Sequence, residues 1–189
     1  LSTLAHTDPL TGLLNRRGFD AAAETAFAQG DRVKSETAIV IIDIDQFKCV
    51  NDRYGHDPGD QALVNLAQVL RANTRCADIA ARRGSEEFAI LLPQTDLNEA
   101  MRICEHARKA VEMIKMKSGD NKFGFTIGAG IAVSQDDDRN WPQTMARADQ
   151  ALYRAKSTGR NRVAILTECP NSTEHRNRKS SPPPRYPAT

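Results

Sequence analysis

No stretch of this sequence approaches the roughly 20 consecutive apolar residues that a membrane-spanning helix requires, and no signal-peptide pattern is visible. Cysteine is scarce and scattered. Cys49, Cys76, Cys104 and Cys169 form no Cys-x-x-Cys pair and have no histidine at zinc spacing, which argues against a zinc site. Reduced thiols in a cytosolic compartment are expected. A basic excess is also missing where it would matter. Residues 170–189 carry four Lys/Arg and one Glu, so a tail charge of +3 against a total of +2 leaves about −1 for the first 169 residues. A nucleic-acid surface needs positive charge on the folded part, so no nucleic-acid partner is expected. There is no Walker-type loop, and Gly124, Gly128 and Gly130 do not space into a dinucleotide fingerprint. No internal repeat is present. The chain opens on Leu1 without an initiator Met, and is read as a domain cut from a longer protein.

What is present suits one domain. The apolar fraction of 40% and charged fraction of 26% over 189 residues are those of a soluble domain with a sizeable core. Residues 1–168 read as that domain. Residues 169–189 read as a disordered, basic, Pro-rich tail, because residues 170–189 hold five of the nine prolines and almost nothing apolar. Helix is expected from Asn15 to about Ala28 and β-branched strand over Thr37–Asp45. A helix follows that Asp57 can cap, with Pro58 at its first position and Leu63, Leu66, Ala67 and Leu70 on one stripe. A hairpin of Ile79–Arg83 and Glu86–Leu92, a helix from Leu97 to about Lys115 and a Gly-rich strand over Phe123–Ser134 come next. The last helix buries Met145, Ala148 and Leu152 and ends near Gly159, before a strand at Val163–Leu166. The hairpin rules out an all-parallel sheet, so the expected class is α/β (α+β), a mixed sheet flanked by helices.

Two fragments carry chemistry. In "IIDIDQFKCVND", strand alternation points Asp43 and Asp45 to one face and Ile42 and Ile44 to the other. Two carboxylates at a buried strand end repel unless a cation sits between them, and magnesium is the natural candidate. An EF-hand is dismissed, because Phe47 and Lys48 occupy positions that motif reserves for a ligand and a glycine. In "ARRGSEEFAILLP", Gly84-Ser85 as the two central residues would set Arg83 opposite Glu86 and Arg82 opposite Glu87. Taken alone, that pattern is equally well explained by cross-strand ion pairs.

Together the fragments belong to a longer succession: "DPLTGLLNRRGF", "DIDQFKCVND", "GHDPGDQAL", "RRGSEEFAILLP" and "ADQALYRAKSTGRNRV". This order, over roughly residues 5 to 166, resembles the GGDEF domain of diguanylate cyclases. The resemblance implies a palm-like fold with a largely antiparallel central sheet, similar to nucleotide cyclase catalytic domains. It also implies condensation of two GTP into cyclic di-GMP with release of two pyrophosphates. Asp43, Glu86 and the Ile44 carbonyl would hold two Mg2+ (or Mn2+) ions. Glu86 would help deprotonate the attacking 3′-hydroxyl, Lys48 would offset phosphate charge, and Glu87 joins them in the catalytic set. Asn51 and Asp60, with His56 in the same segment, would bind guanine. Lys156 and Arg160 would reach the triphosphate, and Phe47, Gly84 and Ser85 complete the substrate surroundings. Asp60 also fits a capping box with Asp57, and Lys156 and Arg160 also suit the negative end of their helix. A product with two-fold symmetry implies a homodimer during turnover. An upstream sensor or receiver domain is expected, with this domain in the cytoplasm and the parent protein open to membrane anchoring.

Ser85 departs from the family, which usually has a second glycine there. A type II′ turn needs glycine only at its first central residue, so Gly84-Ser85 is expected to form one and activity to persist at a reduced level. The rival reading is a catalytically weak or inactive receptor domain for GTP or cyclic di-GMP. "RCAD", Arg75–Asp78, is similar to the RxxD site at which the family binds its product. A second arginine is expected there from a neighbouring helix, either Arg102 or Arg108.

Overall fold

Strand β1, Thr37–Ile44, is buried at every residue. The computed structural model, which describes residues 6–136, 138 and 140–166, puts this strand at the centre of a five-stranded sheet. The order is β2 (Ile79–Arg82), β3 (Glu87–Pro93), β1, β6 (Ile127–Val133) and β7 (Arg162–Ile165). All neighbours are antiparallel except β6 and β7. Strand alternation then sorts the core into two layers. Ala38, Val40, Ile42 and Ile44 meet α3 (His56–Asn73) and α4 (Leu97–Glu112) through Leu63, Leu66, Leu70, Ile103 and Ala107. Ile39 and Ile41 meet α1 (Arg16–Val33) and α5 (Trp141–Ser157) through Phe19, Ala23, Met145 and Leu152. Each such aliphatic side chain contributes about 1.5–3 kcal/mol on burial.

The helix stripes read from sequence are buried; the capping of α3 and the start of the Gly-rich strand need correction, and one further helix is present. The segment after β1 is a separate short helix, α2 (Phe47–Tyr54), anchored by Phe47 and Val50. Gly55, at φ 91°, ends α2 by donating to the Asn51 carbonyl and caps α3 directly. Asp57 is therefore inside the first turn of α3 rather than its cap, and the capping box with Asp60 does not form. The Gly-rich strand begins later than expected. A hairpin of β4 (Met116–Ser118) and β5 (Asn121–Phe123) precedes it, and Phe123 stacks on Tyr54 at 4.0 Å. The expected tail, residues 169–189, lies outside the described residues.

Close approach of α5 to the sheet depends on Gly130. A Cβ there would overlap the backbone of Ala148 and Leu152, so only glycine lets the helix lie directly on β6. That contact fixes how far the end of α5 reaches.

Candidate active site

Asp43 is the next-to-last residue of β1, paired with Glu87 in β3 and Gly128 in β6. Directly paired residues share a face, so Asp43 and Glu87 both point to the side of α1 and α5. The close seat of α5 brings Lys156 down, and its Nζ lies 2.7 Å from Asp43 Oδ1. Burial raises the Asp43 pKa above the ordinary aspartate value. Lys156 opposes the shift, while Glu86 and Asp45 add to it. Glu86 is tied to the same strand end, since its carbonyl accepts from the Ile44 N–H at 3.3 Å. The backbones of Ile44 and Glu86 are thus joined at the end of β1 that carries Asp43.

The expected two-residue turn is not. Arg82 pairs with Phe88, and the Arg83 N–H donates to the Glu87 carbonyl at 2.8 Å. The loop is thus three residues long, Gly84-Ser85-Glu86, and Gly84 is not among the residues with positive φ. Ser85 and Glu86 are not among them either. The cross-strand ion pairs are replaced as well. Arg82 reaches back to Asp8 at 3.2 Å and donates to the carbonyls of Gly84 and Ser85 at 3.1 and 2.8 Å. Arg83 lies over the Phe19 ring and faces Asp20 at 3.4 Å. The Ser85 hydroxyl donates to Glu86 Oε2 at 2.9 Å. Glu87 is half-buried; burial first, then Asp149, raises its pKa.

The remaining substrate candidates sit on α2 and the start of α3. Lys48, His56 and Asp60 are exposed and Asn51 is half-buried. Phe47, by contrast, is a core residue at 7% exposure. A Cβ at Gly59 would overlap the Asn51 side-chain amide, so a larger residue there would displace Asn51 from its present position. Arg160 follows α5 and lines a cavity of about 530 Å³ with Asp45, Gln46, Cys49 and Arg53. Asp45 Oδ2 accepts from Thr126 Oγ1 at 2.7 Å and the Asn161 N–H at 2.8 Å, while its buried Oδ1 has no partner.

Arg75 and Asp78 form a closed turn in which the Arg75 N–H donates to Asp78 Oδ2 at 2.7 Å. The Arg75 guanidinium instead bonds Glu99, which also holds Arg102 at 2.6 Å. Glu99 thus brings Arg102 beside Arg75. Arg108 lies at the other end of α4, on Glu105, Glu112 and Asn161. Sequence reasoning missed the anchoring of Asp45, the grip of Arg82 on the hairpin loop, and Glu99. The first two depend on long-range contacts that no local pattern announces.

No group of three or more His, Cys, Asp or Glu side chains among the described residues is gathered to hold a metal ion by itself. The donor set still fits magnesium, which needs only one or two carboxylates when substrate phosphates supply the rest. Burial raises Asp43 against the pull of Lys156, and Asp45 Oδ1 lies buried without a hydrogen-bond partner.

A family model described as diguanylate cyclase, GGDEF domain, matches residues 5–162. Diguanylate cyclase DgcM of Escherichia coli (strain K12) is 40% identical over 163 residues, covering 86% of this chain and 39% of its own. The chain therefore spans about two fifths of that curated relative. The GGDEF domain of DgcB from Caulobacter crescentus, solved in complex with c-di-GMP, superposes with a TM-score of 0.82 at 34% identity, over 85% of this chain and 92% of that one. The active GGEEF domain of a diguanylate cyclase from Vibrio cholerae gives 0.79 at 33% identity, over 83% and 99%. The motifs, the sheet and its acidic end, and these likenesses agree: the chain belongs to the diguanylate cyclase GGDEF domain family.

Proposed function

We propose that this domain condenses two GTP into cyclic di-GMP and two pyrophosphates. The observation that carries the reading is the meeting of Asp43 and Glu86 at one strand end, with Ile44 bonded to the Glu86 backbone. Asp43, Glu86 and the Ile44 carbonyl would hold two Mg2+ or Mn2+ ions, which when bound lower the pKa of the 3′-hydroxyl and stabilise charge on the reacting phosphate. The chain's own groups do the rest. Glu86 accepts the hydroxyl proton, and half-buried Glu87 adds a further carboxylate to the catalytic set. Asn51 and Asp60 select guanine by pairing its donors and acceptor, with His56 beside them. Lys48, Lys156 and Arg160 offset the charge of the departing pyrophosphate, and Gly84 and Ser85 border the substrate.

Two GTP per product call for two copies of the domain face to face. Arg75, Asp78 and Arg102 would bind the product for feedback inhibition, with phosphate replacing Glu99 on the two guanidiniums. The greater length of DgcM supports further domains in the parent protein, such as an upstream sensor or receiver. No helix among the described residues is long and apolar enough to cross a membrane, and a cytoplasmic site with access to GTP fits the reaction. The Ser85 bond to Glu86 favours one alternative, a receptor that binds nucleotide and turns over little.

Incubation with GTP and magnesium, followed by chromatography, tests the proposal. Cyclic di-GMP should form at a rate rising faster than linearly with protein concentration, and Glu86→Gln should reduce it about a thousandfold or more. Absence of product at high protein concentration, with cyclic di-GMP still bound, would establish the receptor instead.

A further inference from the structure

Arg160 stands in a backbone segment that ordinary side chains avoid. Gly159, Arg160 and Asn161 follow α5 with φ of 126°, 61° and 43°, and only the first is glycine. Such runs persist where surrounding contacts over-determine them. Here the contacts converge on Asn161. Its backbone N–H donates to Asp45 Oδ2 at 2.8 Å. Its side-chain oxygen accepts from Arg108 Nη1 at 2.8 Å, and its side-chain amide donates to Glu112 Oε1 at 2.9 Å. Asp45 is 8% exposed and is fixed in turn by Thr126. Asparagine suits this place twice over. It tolerates left-handed backbone better than most residues, and its neutral amide offers the cation an acceptor and the anion a donor on separate atoms. The neighbouring Arg160 is held only by its backbone: its N–H donates to the Ala155 carbonyl at 3.0 Å and its own carbonyl accepts from Arg162 Nε at 3.0 Å. Among the described residues, no hydrogen-bond partner is recorded for its guanidinium.

We propose that Asn161 is a positioning residue for the nucleotide site. Latched to the end of β1 through Asp45 and to the last turn of α4 through Arg108 and Glu112, it keeps Arg160 in the left-handed conformation at the wall of the cavity it shares with Asp45 and Gln46. The inference rests on the reading of Arg160 as a triphosphate ligand. It adds a second reason for Asp45 in the acidic segment: the residue anchors the phosphate loop to the metal-binding strand.

A double-mutant cycle separates this role from a merely structural one. The probe is 3′-deoxy-GTP with magnesium, which lacks the attacking hydroxyl and cannot be cyclised, and the readout is affinity by calorimetry. Arg160→Ala should weaken binding about tenfold. Asn161→Ala should weaken it about fivefold in the wild-type background and less than twofold in the Arg160→Ala background. Should Asn161→Ala fail to fold, Asn161→Gly, which accepts the same φ without the side chain, takes its place in the cycle. Equal losses in both backgrounds, or none in either, overturn the latch while leaving the nucleotide site intact. Wild-type protein that does not bind the probe, or binds it without regard to Arg160, overturns the site reading and the latch with it.

Discussion

The Ser85 hydroxyl spends its hydrogen on Glu86 Oε2, and the loop around it has no left-handed residue for a bare glycine to serve. A side chain at this point is therefore accommodated by the backbone, and its energetic effect is that of one exposed hydrogen bond. Such a bond is worth about 0.5–1.5 kcal/mol. Ser85→Gly should accordingly change turnover by no more than about tenfold, measured as cyclic di-GMP formed per protein. A rise above a hundredfold would identify the serine as an obstruction. Asp43 at the end of β1 was legible in the sequence because alternation along a β-branched strand is a short-range rule, whereas Glu86 and Glu87 were read through the family resemblance. The hairpin register was not legible, since Gly-Ser suits a two-residue turn and the choice of three residues is made by pairing with the strand beyond. Phe47 was hard to place for a related reason: it points into the core from a helix of eight residues, too short to reveal its own period.

Helix α5 shows how an element places a side chain. It lies against β6 with backbone touching backbone at Gly130, and only at that separation does Lys156 come to Asp43. Gly130→Ala should lift the helix and lower stability by about 3 kcal/mol, the upper end of what overpacking inflicts, as read from urea denaturation. Lys156 should lose its hold on Asp43 in the same variant. The long helices and the central strands were readable from their apolar stripes, which depend on local periodicity. The short α2 was hidden by Gly55 and by its eight-residue length. The three-residue strands β4 and β5 are too brief for any alternation to declare itself, and Phe123 of β5 stacks on the distant Tyr54.

Across the whole molecule, the opening turn and the hairpin are joined by charge. Asp8 accepts from the Thr11 N–H and hydroxyl at 2.8 and 2.6 Å and faces Arg82, whose other nitrogens hold the hairpin loop. Burial alone would raise the Asp8 pKa, but the bonds from Thr11 and Arg82 outweigh it and hold the group below its ordinary value of 3.8. A lowered pKa means that the folded state binds its proton less readily than the unfolded chain. The stabilisation is thus complete above the ordinary value and fades as pH falls through the depressed one. Asp8→Asn should be about 2 kcal/mol less stable than wild type at pH 7, and the gap should shrink below pH 3.8; a gap that stays constant in denaturation at both pH values would refute the assignment. That link spans 74 residues, which is why the two motifs could be recognised singly but not their contact. The sheet itself finishes in a similarly guarded manner. Its two outermost strands have only four residues each, and β2 already receives a bridge from Leu14 along its outer side. A foreign strand finds little unpaired backbone there on which to dock. Concentrated solutions of this domain should accordingly resist the ribbon-to-ribbon stacking that leads to fibrils.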